Sequence, residues 1–91
     1  MYSATDFRNA FAMNLEDIHF PVYRKYKNNK SYFKIIHARL FEEIQIIGSK
    51  KVVKQTEAKL FPEVLFVKDL VLNFAEMAYE IEETEYLNIK G

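Results

Sequence analysis

The chain has 91 residues, 49% of them hydrophobic, with eight Phe, six Tyr and no Cys. That length holds one compact core rather than two, and the missing cysteines exclude a disulfide framework, a thiolate nucleophile and a thiolate-bound metal. Thirteen basic and thirteen acidic side chains cancel, but they are segregated: His19 to Phe41 carries six basic residues and no acid, whereas Asp69 to Gly91 carries six acids and one lysine.

Such asymmetry steers an anionic partner, or favours packing between unlike parts of two copies. No apolar run reaches the 18 residues of a membrane span. Asp6 and Arg8 interrupt the first residues, which do not read as a secretory signal. With no Pro/Gly/Ser-rich linker and no internal repeat, the expectation is a single cytoplasmic domain over residues 1–91.

In residues 4–18, Phe7, Phe11, Leu15 and Ile18 recur at spacings of 4, 4 and 3, the apolar stripe of an amphipathic helix. Ser3 or Thr5 is placed to cap it, and Pro21 lies just beyond its end. The stretch VYRKYKNNKSYFKI, residues 22–35, alternates with period two around Asn28-Asn29, a pair able to adopt the positive φ of a tight turn. The implied hairpin sets Val22 opposite Ile35, Arg24 opposite Phe33 and Lys25 opposite Tyr32. One face then carries Phe20, Val22, Tyr26, Phe33 and Ile35, with Arg24 as the misfit. The other carries Tyr23, Lys25, Lys27, Lys30, Tyr32 and Lys34 and is expected to meet water.

LFEEIQIIG reads as a third strand closed by Gly48-Ser49. Residues 50–60 fit a helix or a strand, and β-branched Val52, Val53 and Thr56 favour the strand. Pro62 marks a helix start, and Asp69, Asn73, Glu76 and Glu80 form one narrow polar stripe on a helix expected to run from Glu63 to Glu80. A helix apolar around most of its girth must be covered on more than one side. The acidic tail holds Ile81, Tyr86, Leu87 and Ile89 and is expected to dock.

The first candidate for chemistry is the Lys/Tyr face, Tyr23, Lys25, Lys27, Lys30, Tyr32 and Lys34. Lysines interleaved with tyrosines stack bases and neutralise phosphates in single-strand binders; the same residues are also ordinary on a wet strand face, and a dedicated nucleic-acid domain is usually basic overall. The second is His37, which the hairpin register turns to the core face, where burial would shift its pKa toward use as a base. A lone histidine there is more often held by a structural hydrogen bond. Nothing indicates a cofactor: His19 and His37 lie in different elements without metal-ligand spacing, adjacent Glu42 and Glu43 point to opposite faces of a strand, and two glycines provide no phosphate loop. The third is the broad apolar surface of the helix at 63–80, which points to self-association or a protein partner through that face, a homodimer being favoured.

The expected fold is α+β: an N-terminal helix, a three- or four-stranded antiparallel meander, and a long apolar helix packed on it, in two layers. The expected function is a small cytoplasmic, non-enzymatic interaction module that works as a homodimer, with another protein as the lesser partner. Single-stranded nucleic-acid binding and a small enzyme with a pocket near His37 are the alternatives.

Overall fold

The structure, a computed structural model, describes residues 15–91; residues 1–14 lie outside it, and with them most of the helix expected over 4–18. The described end of that segment is a single 3₁₀ turn, Leu15–Asp17. Four strands follow as an antiparallel meander: β1 (Val22–Tyr26), β2 (Ser31–His37), β3 (Leu40–Ile47) and β4 (Lys50–Glu57). Helix α1 (Phe61–Leu72) comes next, β5 (Ala78–Glu80) returns to the sheet, and α2 (Glu83–Lys90) ends the chain. The sheet order is β4-β3-β2-β1-β5, which leaves β4 and β5 at the edges.

Local chemistry explains the hairpins. Asn29 takes a φ of 60°, and the Asn28 side chain accepts from the Lys30 N–H at 2.8 Å, so the two-residue turn fixes Val22 opposite Ile35 and Lys25 opposite Tyr32. Gly48, at φ 63°, supplies the left-handed corner between β3 and β4. The β2–β3 pairing slips between Ile35 and His37. That bulge leaves Ile36 unpaired and sets His37 opposite Leu40, off the face an unbroken strand would give it.

Helix α1 covers the face of Phe33, Ile35 and Phe41 with Val67, Leu70 and Val71. Phe66 meets Phe33 edge-on at 5.7 Å and Phe41 at 5.5 Å between ring centres. Its start is fixed from one side: the Glu63 carboxylate accepts from the N–H groups of Leu60 (3.1 Å) and Lys59 (2.9 Å), which lowers the pKa of Glu63. Leucine at the cap has no acceptor to complete a capping box.

The expected architecture is corrected in three respects. Among the described residues the sheet has five strands, not three or four. The long helix stops at Leu72 instead of running to Glu80, because Arg24 takes the carbonyls of Leu70 and Val71 and β1 claims the chain beyond. Lys27 N–H donates to the Met77 carbonyl and Ile81 N–H to the Tyr23 carbonyl, satisfying what would be an open edge of β1. Third, the strands β1–β3 are covered on both faces. The face expected to meet water carries a second core of Tyr23, Tyr32, Ile44 and Tyr86, closed by α2.

Candidate interaction surface

The six residues of the Lys/Tyr face are divided by the fold. Tyr23 and Tyr32 keep 8% and 6% of their surface exposed and lie beneath α2, Tyr23 with its ring 5.3 Å from that of Tyr86. Burial, with Glu83 nearby, raises the pKa of Tyr23. Lys25 is drawn into an ion pair with Glu85 at 2.8 Å, and that hydrogen bond raises the lysine pKa. Lys34 is half-buried on the same face, while Lys27 and Lys30 stand exposed at the hairpin turn, with the Lys27 amine 5.6 Å from the Tyr79 ring. Base stacking requires open ring faces; here the α2 helix lies on two of them.

The acidic segment thus docks on the basic one. Tyr86 donates its hydroxyl to Glu42 at 2.8 Å, Lys90 pairs with the same carboxylate at 3.1 Å, and Lys51 donates to the Ile89 carbonyl at 2.7 Å. Burial acts to raise the Glu42 pKa, but the bonds from Tyr86 and Lys90 outweigh it, and the net shift is downward. Burial and the Glu42 bond hold the Tyr86 phenol protonated far above its ordinary range.

His37 does not reach the core face. It is exposed, and its Nδ1 accepts from the Arg39 N–H at 3.2 Å, holding the β2–β3 turn. His19 is exposed as well. A cleft of about 670 Å³ opens beside β1 and β5, walled by Tyr23, Arg24, Glu80, Glu82, Glu83 and Glu85. Among the described residues no three His, Cys, Asp or Glu side chains are grouped to hold a metal ion.

Among the described strands the most exposed is β4. Nearly all of its eight residues are exposed, including Val52 at 43% and Val53 at 45%, and Ile47 at the neighbouring turn is bare at 58%. Where β4 leads into α1, Leu60, Phe61 and Leu65 are also exposed, Phe61 at 75%. Its backbone is equally open. The Ala58 N–H donates inward to the Arg39 carbonyl at 2.8 Å, and β3 and β4 pair without a shift from Leu40↔Glu57 to Ile47↔Lys50. Even-numbered positions therefore bond to β3, and the N–H and C=O groups of Lys51, Val53, Gln55 and Glu57 project from an edge that no other described strand pairs with.

By sequence β4 reads as a strand with β-branched Val52 and Val53, but nothing in the pattern marks Ile47, Val52, Val53, Leu60 or Phe61 as a shared exposed surface. The available signal was a strand with no proline, whose valines fall on both faces. Comparisons of the chain with protein-family models, with curated proteins and with solved structures found no match.

Proposed function

We propose that this chain is a protein-interaction module that works as a homodimer, with the open edge of β4 as its binding element and a second copy as the occupant. The observation that carries this reading is an eight-residue edge strand exposed on both faces, with apolar side chains at Val52 and Val53. Unpaired edge groups template another strand, and a small domain gains most from covering extra apolar area.

Lysine is also the usual guard of such an edge, and β4 carries Lys50, Lys51 and Lys54. Other guards are missing: no proline or bulge interrupts the strand, and Lys51 is held onto the end of α2. Strand addition supplies main-chain hydrogen bonds whatever the side chains, and exposed valines add apolar contact. Sedimentation equilibrium tests the reading. The mass is expected to rise with concentration from 10.8 kDa toward twice that value; a mass that stays monomeric at high micromolar concentration overturns it.

A further inference from the structure

We infer that the two copies join in one register: antiparallel, about a two-fold axis at Val53, so that Val53 of each copy lies opposite Val53 of the other. The inference rests on the self-association reading above and adds its geometry.

Symmetry narrows the choice first. A two-fold axis that sets identical edge strands antiparallel stands perpendicular to the sheet and keeps each face on its own side. Residues on opposite faces cannot then meet, so the numbers of any two facing residues sum to an even value. Charge narrows it further. Centring the axis on Val52 sets Lys50 opposite Lys54, and centring it on Lys54 sets that lysine opposite itself. Like charges directly across a strand pair are destabilising. Centring on Val53 sets Lys51 opposite Gln55, Lys50 opposite Thr56 and Lys54 opposite Val52. No lysine then faces a lysine directly, Lys51 is diagonal to Glu57, and Lys54 meets Lys50 and Lys54 of the second copy only on the wider diagonal, where repulsion is weaker.

The main chain agrees with this register. The N–H and C=O of Lys51, Val53 and Gln55 project outward, so the Val53 pair and the two Lys51–Gln55 pairs exchange both of their hydrogen bonds. The same register puts Gly48 opposite Ala58 of the second copy. Each β3–β4 tip, with exposed Ile47, then lies at the end of the other β4, where Leu60 and Phe61 begin α1. The apolar groups left bare on one copy meet those left bare on the other.

The chain contains no cysteine, so single-cysteine variants report the register. Facing Cα atoms in a hydrogen-bonded antiparallel pair are about 5.5 Å apart, within disulfide reach. Two copies of residue 55 would be displaced by four positions, roughly 13 Å. Under mild oxidation Val53→Cys is expected to form a disulfide-linked dimer at least ~10-fold faster than Gln55→Cys. Equal rates, or a faster Gln55→Cys, overturn the register. If the unmodified chain sediments as a dimer while Val53→Cys does not cross-link, this geometry fails and self-association stands. If the chain is monomeric, both fail. Val53 is already exposed, so its substitution leaves the monomer fold intact, which circular dichroism checks.

Discussion

The Arg24 guanidinium lies 4.0 Å from the centre of the Phe74 ring, while its Nε donates to the Leu70 carbonyl at 2.9 Å. A second nitrogen donates to the Val71 carbonyl at 3.3 Å and a third to Arg24's own neighbour, the Tyr23 carbonyl, at 2.9 Å. The one charge on the core face of the hairpin is thus a cap for the C-terminal end of α1. Its planar fork satisfies carbonyls that the ended helix leaves without partners, and the positive charge complements that end of the helix dipole. Replacing Arg24 by Met should cost about 2–4 kcal/mol, because buried carbonyls lose their donors. Lysine should recover only part, since it has no fork to span them. Urea denaturation measures both; a cost under about 1 kcal/mol for the Met variant would show the cap to be incidental.

The second core predicts a contrast between neighbours. Ile44 is fully buried under α2, whereas Val53, its cross-strand partner, is 45% exposed. Ile44→Ala should destabilise by about 2–4 kcal/mol, as a cavity-forming change does. Val53→Ala should cost no more than about 1 kcal/mol in the monomer. Equal, small effects would mean that α2 does not close that face.

Docking of α2 should depend on acid. The Glu42 pKa is lowered from its ordinary 4.5 because the Tyr86 and Lys90 bonds outweigh burial. A carboxyl whose folded pKa is depressed contributes stability that is present above the unfolded value and lost as pH falls through the folded one. Stability should therefore hold above about pH 4.5 and decline below it. Glu42→Gln should be less stable at neutral pH and show a flatter acid limb. An unchanged acid limb in that variant would remove Glu42 from the account. Tyr86→Phe, which deletes a bond to a charged acceptor, should cost about 1.5–3 kcal/mol.

Self-association should respond to Lys54. Across the Val53 axis its diagonal neighbours are Lys50 and Lys54 of the second copy, which repel at low salt. Lys54→Thr should tighten the dimer by a few-fold, about 0.5–1 kcal/mol, and raising the salt should tighten the unmodified dimer. Both are read from the dissociation constant in sedimentation; a dimer that weakens with salt contradicts the register.

Much of the sheet is decided by nearest neighbours in the chain. Asn28-Asn29 and Gly48-Ser49 set two hairpins, and period-two alternation sets which side chains share a face, so the pairing of β1 with β2 follows from residues 22–35 alone. What alternation leaves open is whether a face ends in water or under another element. Lys25 and Lys34 mark a face as wet, yet both are half-buried and the Lys25 amine is paired with Glu85 of α2, so Tyr23 and Tyr32 on the same face are buried by that helix.

The same division applies to the chain after Leu72. Its apolar and polar residues keep a helical spacing through Glu80, and by that measure the helix continues. The open edge of β1 lies fifty or more positions in sequence from the residues that bond to it, and Arg24 lies 46 and 47 positions from the carbonyls of Leu70 and Val71 that it takes. Together they make strand and turn the better use of residues 73–80. The candidate surface follows the same rule: KKVVKQTE reads as a strand by itself, but whether its second edge is covered depends on the order β4-β3-β2-β1-β5. Local propensity determined the hairpins and the start of α1, because turns and alternation act within a few residues, but the end of α1 and the strand β5 were decided by contacts distant in sequence. Their partners were settled only by tertiary structure, because hydrogen-bond satisfaction and burial are properties of the assembled chain.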